Sequence, residues 1–500
     1  MRRLLAASVA TLGAVGWLGA ADAQTPSAIT LPPVPTQGQM PMAPAASPPA
    51  SSFTPNNMTG VMARGSTANP TPGSVVVHID GRVLVDYWGS WTSVDKGTAA
   101  GLNTGFKVAP NNLATYARIY TGVDGMATNG LRYGGSIEIR QNFPANIGAN
   151  ASGAGTLTGG GTSSGASSYS SGETLFVRRA FGYVAGNDWG IVRIGQADGP
   201  IGLFDNGITT FQFSPTSNLS GGDLQGNQLG AVVIPFLPAT LAGNEFTSTK
   251  IVYISPQVSG FDFAFSWSPY SFNSFAVCGS SGAGPACAAT SAGPVTTLGA
   301  KTLNQTQAAV RYQGRFGSLG VLAYGAWVHA GHASYNGPFI ANATSFAAAA
   351  ALGSGATGRY DDLNMGQVGV ALTYAGFTLG ANWTGGAVNG QLAPRPSGGS
   401  MANGWVAGLL YSTGPLRIGV AAEVFDTQGA TQLAGLTQRR EWAIDPALTY
   451  TVAPGMIAFA EYIYQERHQN GFNFVTGAAG GAAYNNVKGQ GFLLGSAIYW

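Results

Sequence analysis

Five hundred residues with 75 glycines and only 9% charged side chains are wrong for a soluble α/β enzyme, and 11% aromatic side chains are too many for a disordered low-complexity chain. A formal net charge of +2 supplies no large field and argues against nucleic acid as a partner. After the N-terminus no stretch approaches about eighteen uninterrupted apolar residues, which excludes a helical membrane protein.

The chain opens with Arg2 and Arg3, an apolar run from Leu4 to Ala21, and the small-residue triplet Ala21-Asp22-Ala23. This is the layout of a secretory signal peptide over residues 1–23, with the mature chain starting at Gln24. Residues 24–73 are rich in Pro, Ala, Ser and Thr, and Arg64 is their only charge. Prolines deny the segment regular structure and the scarcity of large apolar groups denies it a core, so an extended periplasmic extension is expected, as a plain linker or as a tether to the cell wall.

After Gly73 the hydrophobic period switches to two. Val75, Val77, Ile79, Val83, Val85 and Tyr87 alternate with His78, Asp80, Arg82 and Asp86, the pattern of a strand with one apolar face. Leu131, Tyr133, Ile137 and Ile139 alternate in the same way with Arg132, Ser136, Glu138 and Arg140, and Phe261, Phe263, Phe265 and Trp267 with Asp262, Ala264 and Ser266. Such segments fall at 74–91, 113–122, 130–142, 174–184, 189–196, 248–256, 260–268, 304–314, 318–330, 364–375, 377–387, 402–413, 415–426, 439–452, 456–468 and 487–500. The connections alternate strictly between short turns, as at Ala375-Gly376 and Thr413-Gly414-Pro415, and long stretches rich in Gly, Ser, Ala and Asn. An even count of strands with all turns at one end predicts an all-β fold, a 16-stranded antiparallel transmembrane β-barrel over residues 74–500. Closure is a physical requirement, because an open sheet edge would leave backbone polar groups unpaired in hydrocarbon.

The longest structureless connection runs from Gln196 to Ser248. Before it stand Arg178-Arg179-Ala180-Phe181-Gly182-Tyr183-Val184 and, after a turn, Gly190-Ile191-Val192-Arg193-Ile194-Gly195-Gln196; after it stands Thr249-Lys250-Ile251-Val252-Tyr253-Ile254-Ser255-Pro256-Gln257-Val258-Ser259-Gly260-Phe261. These runs resemble the R-Q-A-Y/F-V-G-L, x-G-x-V-x-L-G-R and N-S-I/V-x-Y-x-S-P-x-F/L-x-G-F segments of Gram-negative trimeric outer-membrane porins of the general diffusion type. The resemblance implies that this third long loop folds into the lumen. A second resemblance lies at the C-terminus, where Phe492, Leu494, Ile498 and Trp500 share one face and are similar to the signal read by the barrel-assembly machinery, with Trp in place of the usual Phe.

Placing an arginine on the lipid face near the membrane midplane costs about 2–4 kcal/mol. Arg132 and Arg140 are therefore expected to point inward, and by the same parity Arg82, Arg118 and Arg178. The porin resemblance implies that this wall forms the basic half of a constriction and that the loop supplies its carboxylates, here Asp198, Asp205, Asp223 and Glu245. Opposed rows of charge set up a transverse field that orients solutes and tunes ion preference. Trp88 and Trp327 are assigned lumen parity, a hint of sugar stacking. Arg179 breaks the alternation, and the resemblance to trimeric porins, whose first strands pack against neighbouring subunits, implies an interface position for it. Where the family has Gly-Arg at the loop root this chain has Gly195-Gln196, with Arg193 as a partial replacement.

The two cysteines, Cys278 and Cys287, lie in one Gly/Ser/Ala-rich loop; in an exported protein they form a local disulfide, and a metal pair is the weaker alternative because no histidine lies near. The four histidines (His78, His329, His332 and His468) fit no nucleophile elbow, zinc pattern or phosphate loop, and no cofactor or enzymatic activity is expected. The expected function is passive diffusion of ions and small hydrophilic solutes through an outer-membrane channel. The resemblance implies a homotrimer, with outer-membrane lipid and lipopolysaccharide as surroundings. The alternatives are a channel selective for sugars, organic acids or phosphate, and a barrel anchor whose proline-rich tail links to the cell wall.

Overall fold

The computed structural model describes residues 70–93, 111–142, 174–186, 188–204, 249–270, 303–331, 361–388, 395, 399–429, 438–473, 478–479 and 484–500. Sixteen strands form the wall: β1 (Ser74–Thr92), β2 (Asn111–Met126), β3 (Arg132–Asn142), β4 (Thr174–Gly186), β5 (Gly190–Gln196), β6 (Thr249–Ile254), β7 (Phe261–Tyr270), β8 (Leu303–Phe316), β9 (Leu319–Gly331), β10 (Leu363–Tyr374), β11 (Phe377–Ala387), β12 (Ala402–Thr413), β13 (Leu416–Thr427), β14 (Arg439–Ala453), β15 (Met456–His468) and β18 (Asn486–Tyr499). One short helix, α1 (Pro200–Phe204), follows β5, and a two-residue pair, β16 (Phe472–Asn473) with β17 (Ala478–Ala479), stands outside the wall.

Each strand pairs antiparallel with its sequence neighbours, and β1 pairs with β18 from Arg82↔Tyr499 to Thr92↔Gly489, closing the barrel. Every backbone row therefore has a partner, as a hydrocarbon environment demands. The expected strands all appear, with ends shifted by a few residues. At the end of β6 the shift has a visible cause: Pro256 cannot donate to a ladder, so pairing stops at Ile254 and the Ser255 hydroxyl accepts from the Phe263 amide at 2.9 Å instead. The turn between β10 and β11 places Ala375 at φ 48° and Gly376 at φ 84°, the doubly positive pattern whose twist matches a two-residue hairpin.

Alternation decides which face is which. Val75, Val77, Ile79, Leu113, Ile137, Phe263, Val310, Val368, Leu379, Ile418 and Leu494 are exposed on the outer face, while Asp80, Arg82, Ser136, Gln307, Gln367, Asn382 and Glu423 are buried on the inner one. Aromatic rows bound the aliphatic band at both ends. Toward the long loops stand Trp91, Trp267, Trp327 and the Trp383–Trp405 pair at 6.4 Å; toward the short turns stand Tyr133, the Phe261–Tyr312 pair at 4.8 Å, and the Phe377–Tyr411 pair at 4.5 Å. An apolar band between two aromatic girdles is the outer surface of an outer-membrane barrel.

Trp327 corrects the expectation of lumen parity. It is 43% exposed on the outer face, stacked on His329 and donating from its indole nitrogen to Asn364 Oδ1 at 2.8 Å. On β9 it is Tyr324, Ala326 and Val328 that point inward. Trp88, with the same expectation, is buried on the inner face of β1.

Candidate functional site

The inner face carries its charge in sectors. Arg82 on β1 is in direct register with Arg118 on β2, and Arg118 with Arg140 on β3. Three like charges abreast repel one another, and the carboxylate that relieves them is Glu138, fully buried on the same face of β3. Its oxygens lie 3.9 Å from Arg118, 3.1 Å from Arg178 and 3.3 Å from Arg179, and it also accepts a short hydrogen bond from Arg140 Nε. Arg82, Arg132 and Arg178 are likewise buried and inward, beside Asp80, Asp86 and Asp124; Tyr183 donates to Asp124.

Arg179 corrects the reading that sent it to a subunit interface. It is 1% exposed and pairs with Glu138 inside the barrel and, through Nε at 3.1 Å, with Asp198. The register explains how two consecutive arginines face one way. Glu138 is opposite Arg179 while Ile139 is opposite Val177, so β4 carries one extra residue, a β-bulge at Arg178. A bulge sets two residues against one and re-aims side chains. The alternation rule, applied without a bulge, sent Arg179 to the wrong face.

Of the four acids assigned to the loop, Asp198 is described: it is buried and anchors Arg179. Asp205, Asp223 and Glu245 lie outside the described residues, as do Cys278 and Cys287. The root of the loop is visible. Gly195 takes φ 132°, and a Cβ there would stand 2.5 Å from the Ala180 carbonyl oxygen, so only glycine lets β5 run this close to β4 as it exits. Arg193, two residues earlier, is buried with its guanidinium over the Phe181 ring at 5.2 Å. After Asp198 the chain turns into α1, all of it buried, which packs against β7, β8 and β9. There the Phe204 ring lies 4.2 Å from the Arg311 guanidinium, which also donates to the Leu203 carbonyl. Arg311 is held by Asp262 through two bonds, 3.1 and 2.6 Å. Since Arg311 and Asp262 are inward residues of β8 and β7, the chain from the end of β5 to Phe204 runs along the inner side of the wall.

Two further sectors complete the map. Among the described residues of β9–β12 the inner face bears no charged side chain; it is built from residues such as Leu322, Val328, Met365, Asn382, Thr384 and Val406. On β13–β15 charge returns, with Glu423, Glu441, Asp445 and Glu461 all buried there, Arg467 donating to Glu441 at 2.6 Å, Arg439 close to the loop end and Arg417 on the inner side of β13 near the short turn. These acids went unassigned in the sequence, although the parity that located Arg132 would have found them on segments 415–426, 439–452 and 456–468. Among the described residues no group of His, Cys, Asp or Glu is arranged to hold a metal ion.

The C-terminal residues Leu494, Ile498 and Trp500 are exposed on the outer face, and Phe492 on that face contacts Tyr87 at 6.0 Å and Trp91 at 5.8 Å. The loop ends of four hairpins are tied together. Arg395 pairs with Asp361 and donates to the Gly399 carbonyl at 2.7 Å; Gln428 accepts from the Ser400 amide at 2.8 Å; and Gln469 donates to the Gln428 carbonyl at 3.0 Å while accepting from Arg439 at 2.9 Å.

No curated protein matches this sequence. Among solved structures, the anion-selective porin from Comamonas acidovorans is similar at 13% identity, covering 85% of this chain and 100% of its own with a TM-score of 0.45. The outer-membrane channel DcaP of Acinetobacter baumannii is similar at 13% identity, covering 88% and 100% with a TM-score of 0.48. OmpT of Vibrio cholerae, solved in a trimer form, is similar at 11% identity, covering 85% and 100% with a TM-score of 0.42. Residues 77–470 match the profile of the Gram-negative porins. With a closed sixteen-stranded barrel that is apolar outside and charged inside, the chain belongs to the Gram-negative porin family and forms an outer-membrane porin channel.

Proposed function

We propose that the barrel is a non-enzymatic diffusion channel for ions and small hydrophilic solutes, working as a homotrimer like the family its sequence resembles. The observation that carries this reading is the uneven charge of the inner face: seven arginines against Asp80, Asp86, Asp124 and Glu138 on β1–β5, a neutral sector on β9–β12, and on β13–β15 Glu423, Glu441, Asp445 and Glu461 against Arg417, Arg439 and Arg467. Such a distribution creates a field across the lumen instead of along it. Arg82, Arg118, Arg132, Arg140 and Arg178 line the basic side of the path, and Asp198, Asp205, Asp223 and Glu245 belong to the loop that narrows it. The surplus of guanidinium over carboxylate around Glu138 favours small anions at that wall.

Planar-bilayer recordings of the purified protein test this. Stepwise insertion of ohmic channels is expected, with conductance rising in proportion to salt. A protein that folds and inserts yet passes no current would refute the channel. Block of the current at micromolar concentration by a single class of sugar, organic acid or phosphate would replace free diffusion with a substrate-selective channel.

A further inference from the structure

The uncharged inner sector of β9–β12 is cut low by glycine at two places. Gly369 on β10 stands in register between Tyr324 on β9 and Asn382 on β11. A Cβ on residue 369 would overlap both the Tyr324 ring and the Asn382 amide oxygen, so the edge of the ring and the amide meet above that glycine. On the other side of β11, Gly404 on β12 stands between Thr384 on β11 and Phe425 on β13, and the Phe425 ring lies over it in the same way. Two aromatic rings thus reach toward β11 from opposite sides, across strands whose missing side chains make room for them.

Between the rings, β11 presents polar groups. Gln367 on β10 donates from Nε2 to Thr384 Oγ1 at 3.0 Å. Asn382, 1% exposed on the same face, has neither its amide nitrogen nor its oxygen in a hydrogen bond. A buried amide with both ends unsatisfied is costly, and the group that relieves it has to accept from the nitrogen and donate to the oxygen at once. A carboxylate or a halide has no donor, and an ammonium or a metal ion has no acceptor. A hydroxyl has both. Flanking rings with a few placed polar groups are also the lining that suits the carbon skeleton of a small neutral solute.

We propose that Asn382, between Tyr324 and Phe425, is a subsite of the channel for a hydroxyl of a small uncharged polyol or sugar. This rests on the channel reading above and adds a class of solute to it: neutral hydroxylated molecules are drawn to this sector by matched donors and acceptors, without any charge. A single amide holds too little to retain them, so the subsite favours entry and still releases the solute, as passage requires.

The test is the swelling of proteoliposomes that contain the full-length protein, driven by arabinose or by triethylene glycol, an ether of nearly equal mass with fewer hydroxyls. Asn382→Leu is expected to lower the arabinose-to-ether rate ratio at least twofold while potassium chloride conductance in planar bilayers stays nearly unchanged. Leucine is close to the amide in shape, and exchanging unpaired polar atoms for methyl groups does not oppose folding. Tyr324→Leu strips one flank and leaves Asn382 in place; it should lower the ratio in the same direction, and it decides the matter if Asn382→Leu fails to assemble. An unchanged ratio in variant barrels that conduct overturns the subsite and leaves the channel intact, which is also the result if the amide holds only water. Equal slowing of both solutes marks a change of pore width and overturns it too. A wild-type barrel that passes neither solute nor current overturns the channel reading together with the subsite.

Discussion

Arg178 and Arg179 are adjacent in sequence, yet both guanidiniums reach the carboxylate of Glu138, at 3.1 and 3.3 Å. In a regular strand one of them would face lipid. The bulge on β4 lets the pair serve one acid. Deleting Arg178 removes the extra residue and restores plain pairing between β3 and β4, leaving Arg179 opposite Glu138. The deletion variant should therefore fold into a heat-modifiable barrel at close to the wild-type yield. Deleting a residue from an unbulged strand, such as Gly122 in β2, shifts one flank to the opposite face and should abolish assembly.

Glu138 is the one carboxylate that contacts Arg118, Arg140, Arg178 and Arg179 together. Glu138→Gln removes the carboxylate charge that four buried guanidiniums share, while Arg179 keeps its contact with Asp198. A loss of about 3–5 kcal/mol in barrel stability is expected, read as a lower urea midpoint for unfolding from lipid vesicles. Added chloride should recover part of it, because the vacated pocket suits an anion.

Phe204 fastens the loop root to Arg311, and Asp262 holds Arg311 in turn. Phe204→Ala removes a buried ring and the stacked guanidinium contact, a local loss of about 3–5 kcal/mol. The barrel should still fold, since none of its ladder bonds involves α1. Limited proteolysis after residue 204 should become faster, and single-channel current noise should increase.

Gln428 joins the hairpin ends by receiving the Ser400 amide and the Gln469 side chain. Gln428→Leu leaves the Ser400 donor unsatisfied, at a cost of about 1–3 kcal/mol. Hydrogen exchange at Ser400 is expected to accelerate roughly tenfold or more, while the mid-strand amides of β12 and β13 keep their protection.

The outer face should be intolerant of charge. Val368 is 51% exposed in the aliphatic band of β10. Val368→Arg should cost about 2–4 kcal/mol, measured by equilibrium unfolding in vesicles. Val258→Arg, in the turn between β6 and β7, should cost nearly nothing, because its side chain stands beyond the girdle.

The barrel was legible because lipid imposes a period of two on the outer residues and the connections alternate in length. The first signal survives in single segments such as Val75–Tyr87, and the second runs the length of the barrel. What the residues around Arg178 did not reveal was the bulge, because an extra residue leaves no mark of its own in composition; it shows only as a broken alternation, which Arg179 did display. Trp327 misled for a different reason: counting inward from the wrong neighbour on β9 reverses the face, and tryptophan is at home both in a girdle and in a lumen. The carboxylates of β13–β15 were within reach of parity, since Glu423, Glu441, Asp445 and Glu461 alternate with outer residues on their strands. Asp198 closely follows β5 and stands beside Arg179; no period governs the rest of that loop.

Gly81 and Trp500 exchange backbone hydrogen bonds at 3.2 Å in both directions, and the indole lies where a Cβ on residue 81 would stand. The seam between β1 and β18 thus joins strands that are neighbours in the barrel and far apart in sequence, and its last rung is made by Trp500. Contacts of such long sequence separation form late. β18 must be present before β1 can find its second neighbour, so the barrel cannot close on the strands that precede β18. Until then β1 needs something else to cover its edge, and removing Trp500 would take away the last stitch of the seam.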